Sequence, residues 1–271
     1  MRRARLDAEL VRRGLARSRQ QAGELIAAGR VSVGGRVASK AATAIGPGEP
    51  VLVKEDVADE HWASRGAHKL IGALDAFTEV VVDGRRCLDA GASTGGFTDV
   101  LLRRGAREVV AVDVGYGQLD WRLRTDPRVQ IHDRTNVRTL TPEVIGGRVD
   151  LIVADLSFIS LGLVLPALFG CAADGADIVP MVKPQFEVGK DRLGAGGVVR
   201  DPALRAEAVL GVVTAAGVLG WGAVGVIASP LPGPSGNVEF FVHLRRDAAV
   251  DDHGAEQSRR MIDVAVKEGP A

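Results

Sequence analysis

Hydrophobic positions in the first sixty residues repeat first at helix spacing and then at strand spacing. Leu6, Leu10 and Val11 form one short helical stripe. Ser18 opens a second helix that runs through Ile26, with Gln21 completing a capping box and Gly29 stopping it. Val31-Ser32-Val33, Gly34-Gly35 and Arg36-Val37 then read as a hairpin, and Val51-Leu52-Val53 as a further strand after the Gly46-Pro47-Gly48 turn. Two helices, a hairpin and a strand in so short a stretch describe a small α+β unit.

From Ser64 onward the pattern alternates. Helical stretches over 67–77, 98–104, 161–171 and 201–217 are interleaved with apolar strand runs over 86–89, 108–113, 129–132, 150–155 and 177–183. Runs 224–229 and 238–244 follow as an antiparallel pair. This alternation predicts an α/β fold, a doubly wound Rossmann-like sheet with right-handed crossovers, carrying the small α+β unit at its N-terminus. The expected boundaries are 1–58 for the small domain, 59–64 for a linker, 65–246 for the large domain and 247–271 for a charged tail, read as a loose helix or disorder.

One strand-to-helix junction carries the strongest chemical signal. Cys87-Leu88-Asp89-Ala90-Gly91-Ala92-Ser93-Thr94-Gly95-Gly96-Phe97-Thr98 ends an apolar run in an acid, crosses small residues and opens a helix, which suits a ligand at a helix N-terminus. Ser93 stands where a dinucleotide fingerprint needs its second glycine, so a diphosphate is disfavoured. Asp113 ends the next strand, where an acid commonly takes ribose hydroxyls. A glycine loop with a ribose acid and no diphosphate site suits S-adenosylmethionine. A tight turn with no ligand is the competing reading, and Asp113 weakens it.

Ligands of such sheets bind outside the carboxyl ends of the strands. The polar residues that end strands here are Asp89, Asp113, Asp133, Asp155 and Lys183, and they are expected to share one rim. Asp155 and Lys183 form a carboxylate–ammonium pair able to act on a weakly acidic hydroxyl. Lys69 and Glu239 complete a Lys-Asp-Lys-Glu set suited to methyl transfer onto a ribose hydroxyl.

Composition changes this picture little. Aromatics make up only 4% of 271 residues, and Gly is abundant at 34. Cys87 and Cys171 both sit in apolar runs, which fits a reducing cytoplasm better than a disulfide framework. No secretory leader is read at Met1-Arg2-Arg3, and the five histidines show no metal-ligand spacing, so no metal is expected. Two uncharged windows, 156–173 and 208–238, are long enough to cross a bilayer, but their prolines, glycines and serines argue for buried core, and no membrane insertion is expected.

Charge adds more. The formal net charge is zero, yet residues 1–40 hold ten Lys or Arg against three acids. Such a basic face is the footprint of phosphate binding.

The run from Arg5-Leu6-Asp7 through Gly14-Leu15-Ala16-Arg17-Ser18-Arg19, followed by Ile26-x-x-Gly29-Arg30-Val31-x-Val33-x-Gly35, resembles the S4 RNA-binding domain. That resemblance implies that Arg5, Arg17, Arg19 and Lys40 face structured RNA. The larger region resembles FtsJ-like RNA 2′-O-ribose methyltransferases, a class I, Rossmann-like, S-adenosylmethionine-dependent fold. Their Lys-Asp-Lys-Glu tetrad corresponds here to Lys69, Asp155, Lys183 and Glu239. With both domains in order, and with Ser64-Arg65-Gly66-Ala67-His68-Lys69-Leu70, Asp155-Leu156-Ser157-Phe158-Ile159-Ser160 and Lys183-Pro184-Gln185-Phe186-Glu187 as signatures, the chain resembles the TlyA family.

The resemblance implies 2′-O-methylation of cytidine ribose in small- and large-subunit ribosomal RNA, linked to sensitivity toward cyclic-peptide ribosome antibiotics. Expected cofactor residues are Asp89, Gly91, Ala92, Ser93, Thr94, Gly95, Gly96, Phe97, Asp113, Asp133 and Asp155. Phe158 is expected to stack on an extruded base, Arg65, Arg134, Arg138 and Lys190 to hold phosphates, and the stretch from Gly189 to Gly197 to be mobile until RNA arrives. Members of the family are also called haemolysins, which makes a membrane-lytic protein the alternative reading; an RNA-binding module with an inactive large domain is a third. Where the family carries Arg-x-Trp in the linker, this chain has Glu60-His61-Trp62-Ala63, so Trp62 alone remains as the anchor.

Overall fold

A computed structural model describes residues 4–16, 18–46, 48–53 and 62–269, with the side chains of residues 190 and 195 excluded. The chain divides into two units, 1–61 and 62–271.

In the first unit, β1 (Ala4–Arg5) leads directly into α1 (Leu6–Arg12), and α2 (Arg19–Ala27) follows. Ser18 caps α2 as its sequence predicts, its Oγ accepting from Gln21 N at 3.1 Å. The predicted hairpin is β2 (Val31–Val33) with β3 (Arg36–Val37). β4 (Ala44–Ile45) pairs with β1, and β5 (Val51–Val53) adds to the far side of β2. Leu6, Leu10, Ala22, Ile26, Val31 and Ile45 close a small core. The two-residue strands β1 and β4 carry no periodicity of their own and are not legible before folding.

The second unit begins with α3 (Gly66–Ala76) and winds through β6 (Arg86–Ala90), α4 (Gly96–Arg103), β7 (Glu108–Val112), α5 (Trp121–Arg124), β8 (Val129–His132) and β9 (Val149–Ala154). It continues through α6 (Leu165–Cys171), β10 (Ala172–Val182), α7 (Pro184–Glu187), α8 (Pro202–Val218), β11 (Gly222–Ala228), β12 (Phe240–Arg245) and α9 (Asp252–Glu268). The seven strands order as β11-β12-β10-β9-β6-β7-β8. β8, β7, β6, β9 and β10 are mutually parallel, and β12 runs antiparallel between β10 and β11. The chain leaves β6 toward β7 and returns to β9 on the other flank. That reversal creates a crevice at the carboxyl ends of β6 and β9.

Both faces of the sheet are covered, as alternate residues show. Leu88, Ile152, Phe240 and Val242 pack on one side with α6, α8 and α9 residues, while Leu151, Val153, Val109 and Phe241 pack on the other with α3 and α4. This explains the near-continuous apolar strands. The same burial accounts for the two uncharged windows. Residues 156–173 break into a loop, a short 3₁₀ turn, α6 and the start of β10, and 208–238 hold the end of α8, then β11. Among the described residues no helix is long and apolar enough to cross a membrane.

One expectation needs correction. The tail is not loose: α9 runs to Glu268, capped by Asp251 Oδ1 on Gly254 N at 3.0 Å, and it buries Ile262 and Ala265 in the main core. Its charges occupy the outer face, which is why composition alone reads as disorder. The glycine stretch 189–197 is partly organised. Residues 190–192 and 195–197 form single 3₁₀ turns, and Asn237 pins the far end by accepting from Val199 N at 2.9 Å and donating to Gly197 O at 3.1 Å.

Ile262→Ala is expected to destabilise the second unit by about 2–5 kcal/mol, the cost of a large-to-small change in a closed core. Denaturant unfolding measures this, and a change near zero would show that α9 contributes no packing.

Candidate active site and nucleic-acid interface

The glycine loop is shaped by close approach. Gly91 has φ +89°, and a Cβ there would lie 2.5 Å from Asp155 O, so any side chain would collide with the backbone leaving β9. Gly96 opens α4 beneath Ser64, whose Oγ would lie 2.3 Å from an added Cβ. Gly91 N and Ala92 N both donate to Val112 O, at 2.8 and 3.1 Å, which folds the loop back over the end of β7. Ser93 and Thr94 form its exposed tip. The Phe97 ring, named above with the cofactor residues, lies instead in the core, 6.0 Å from Phe241.

Three acids flank the loop, each on a different strand. Asp89 is fully buried in β6; its Oδ2 accepts from Thr98 Oγ1 at 2.7 Å, while Oδ1 has no hydrogen-bond partner among the described residues. Burial pushes its carboxyl up to about 7, with the charges of Asp155 and Asp113 adding to the rise and the Thr98 bond opposing it. Asp113 accepts from Ser93 N at 2.8 Å and Gly115 N at 2.7 Å. Asp133 accepts from Gly117 N at 3.1 Å and pairs with Arg124 at 3.3 Å.

Beside them stand two ion pairs. Lys183 Nζ lies 2.6 Å from Asp155 Oδ1 and donates to Ser157 Oγ at 2.9 Å. Lys69 Nζ lies 2.5 Å from Glu239 Oε2, with both side chains buried. Strand register brings the pairs together. β10 and β12 are in register at Val182 opposite Phe240, and the next step beyond that pair is Lys183 opposite Glu239. β9 matches Ala154 with Pro180, so Asp155 ends the neighbouring strand. The five strand-end residues Asp89, Asp113, Asp133, Asp155 and Lys183 therefore occupy one edge of the parallel part of the sheet, as the alternation predicts.

Around this centre several exposed groups are aromatic or cationic. Phe158 is 91% exposed at φ +64°, a conformation unfavourable for a bulky residue, and its ring lies 5.2 Å from Phe186. Arg134, also at positive φ, stacks over Tyr116 with 4.3 Å to the ring centroid. Arg65 donates to Pro232 O at 3.2 Å, and Arg138 is exposed. The Lys190 side chain lies outside the described residues. Trp62 is held under Arg103 at 3.9 Å, while Glu60 and His61 lie outside the described residues.

In the first unit, the buried carboxylate of Asp7 draws in two cations, Arg5 at 3.0 Å and Arg19 at 2.9 Å. The Arg5 hydrogen bond holds the Asp7 carboxyl far below the usual carboxylate range. Both guanidiniums remain more than half exposed, held on the surface in fixed positions. Lys40 is exposed, and Arg17 lies outside the described residues.

Sequence reasoning missed Ser157, Thr98, Ser64, Tyr116 and the partnership of Asp7 with the two arginines. Ser157 had a weak signal, two residues after Asp155 in the same short motif. The others depend on contacts between elements, which spacing does not reveal.

Comparison with known proteins agrees with this architecture. Residues 62–246 match the model for FtsJ-like methyltransferase, and residues 4–51 match the S4 domain. The chain is 65% identical over 271 residues, 99% of both chains, to the 16S/23S rRNA (cytidine-2′-O)-methyltransferase TlyA of Mycobacterium tuberculosis. It is 35% identical to Hemolysin A of Brachyspira hyodysenteriae over 89% of this chain and 99% of the other. A solved structure described as "Putative hemolysin from Streptococcus thermophilus" superposes with a TM-score of 0.76 at 37% identity, covering 99% of this chain and 97% of that one. An S4 domain followed by an FtsJ-like methyltransferase domain, with a relative this similar along its whole length, means that the chain belongs to the TlyA family of methyltransferases.

Proposed function

We propose that the protein transfers a methyl group from S-adenosylmethionine to the 2′-hydroxyl of cytidine in small- and large-subunit ribosomal RNA, acting in the cytoplasm and altering sensitivity to cyclic-peptide ribosome antibiotics. The observation that carries this reading is the pairing of Lys183 with Asp155 and of Lys69 with Glu239 at adjacent strand ends beside the glycine loop. The likeness to a relative named as a 16S/23S rRNA (cytidine-2′-O)-methyltransferase supports the substrate.

The residues present fit the donor. Asp89 Oδ1 is a buried acceptor without a partner among the described residues, suited to an ammonium group, and the loop at Gly91 leaves the space that a Cβ would fill. Asp89, residues 91–97, Asp113 and Asp133 would hold S-adenosylmethionine, which supplies an electrophilic methyl group on a sulfonium. Lys183 Nζ donates to Ser157 Oγ and is ion-paired with Asp155. Directed at the ribose oxygen it would hold that oxygen in line, and as the new O–C bond forms and the sulfonium's S–C bond breaks, the hydroxyl proton would pass to the Lys183–Asp155 pair. Lys69 and Glu239, fixed on each other, position the ribose edge.

A ribose within folded RNA is reached by turning its nucleotide outward. Phe158, exposed and held at positive φ, is suited to receive the released base. In the first unit, Arg5, Arg19 and Lys40 would contact backbone phosphates.

Three measurements test this reading. Lys183→Ala should lower transfer to ribosomal subunits from labelled S-adenosylmethionine by about 10²- to 10⁴-fold while donor affinity stays unchanged; wild-type rates in that variant would overturn the assignment. Donor affinity should rise as pH rises through about 7, with a proton released on binding, because the donor's ammonium favours ionised Asp89. The sign for the free protein is opposite: a raised folded-state value means stability is lost as pH rises through the same range. Asp89→Asn should abolish both trends. Finally, Arg19→Ala should weaken RNA binding and reduce its log–log salt slope by about one, as loss of one phosphate contact requires.

A further inference from the structure

The mechanism above makes no use of Glu187, a carboxylate whose burial raises it from its ordinary value. It stands four residues beyond Lys183, at the end of α7. Both of its oxygens reach the other strand-end loop: Oε2 accepts from Ser160 Oγ at 2.6 Å and Oε1 accepts from Leu161 N at 2.8 Å. Ser160 Oγ in turn accepts from Gly162 N at 3.2 Å, and Leu161 is anchored in the main core. One carboxylate thus fastens the segment that follows Asp155 to the helix that follows Lys183.

The loop between these fastenings carries two exposed groups beside the Lys183–Asp155 pair, Ser157 and Phe158. It leaves β9 with Asp155 N donating to Ala90 O at 3.0 Å and ends at Ser160. Between them lie Ser157, bonded to Lys183, and Phe158 at positive φ against Phe186. A bulky residue keeps a disfavoured backbone conformation only where its surroundings over-determine it. With the near end held by the sheet and by Lys183, the far end needs its own fixture, and Glu187 is the charged group that provides one.

We infer that Glu187 is a positioning residue for methyl transfer: its bonds to Ser160 and Leu161 set the loop that aligns Ser157 and Phe158 with Lys183. This rests on the function proposed above and names the part that keeps its geometry. Glu187 touches neither donor nor substrate in this role, so its loss should slow the reaction at saturating RNA without weakening donor binding.

The test compares Glu187→Ala, Glu187→Gln, Ser160→Ala and the double variant Glu187→Ala/Ser160→Ala in the full chain, using labelled S-adenosylmethionine and ribosomal subunits. Glu187→Ala should lower kcat at least tenfold, with donor Kd within twofold of wild type. Glu187→Gln, which keeps an acceptor for Leu161 N, should recover part of the rate. The double variant should be no slower than Glu187→Ala, because both changes break one link. A kcat within twofold of wild type in Glu187→Ala, a parallel fall in donor affinity, or multiplicative effects in the double variant would each overturn the inference. Should Glu187→Ala fail to fold, Glu187→Gln and Ser160→Ala decide it by the same criteria. If the wild-type protein transfers no methyl group, the proposed function fails by itself. A crystal structure of Glu187→Ala, or of Ser160→Ala if the former does not fold, then judges the clasp, which stands if Phe158 leaves positive φ and falls if the loop is unchanged.

Discussion

Burying an ammonium or a carboxylate costs several kcal/mol unless a partner stands within hydrogen-bond reach, and this chain buries the Lys69–Glu239 pair and, beside it, the ammonium of Lys183 against a partly exposed Asp155. That requirement fixes much else. Lys69 comes from a helix before the sheet, and Glu239 from the far end of the sequence. The two meet only if β12 inserts antiparallel beside β10 in the observed register. A one-residue slip would turn Glu239 to the opposite face and strand a charge in the core. The electrostatic demand of the site and the register of the sheet are therefore one constraint, and each holds the other in place.

Much of this was legible beforehand, and the reasons are specific. Strand-end polar residues stand out because the strands themselves are almost wholly apolar, so Asp113, Asp155 and Lys183 mark their own positions. The loop at Gly91 announces itself because only glycine tolerates the approach of Asp155 O. Ser18 reads as a cap because the donor it satisfies is three residues away. In each case the information is local or follows from strand order.

What escaped is not local. Phe97 reads as part of the loop, but the helix it opens turns its ring inward onto Phe241. Helix α9 looks like a solvated tail because its buried stripe is narrow, and only β11 makes sense of Ile262 and Ala265. Asp7 and Glu187 are carboxylates in charge-rich surroundings, indistinguishable in composition from surface acids. Asp7 proves to be a buried acceptor and Glu187 a half-buried one, and each fastens other groups, Asp7 two guanidiniums and Glu187 a loop.

Helix α9 has an implication for synthesis of the chain. It packs on β11 and α8, and it is made after every strand of the sheet. Until it emerges, the apolar side of β11 stays open to water, although all four members of the Lys-Asp-Lys-Glu set already exist. Nascent molecules at that stage expose a sticky edge strand and are candidates for capture by chaperones. Closure of this face of the core therefore waits on α9, which follows all four of those residues in the chain.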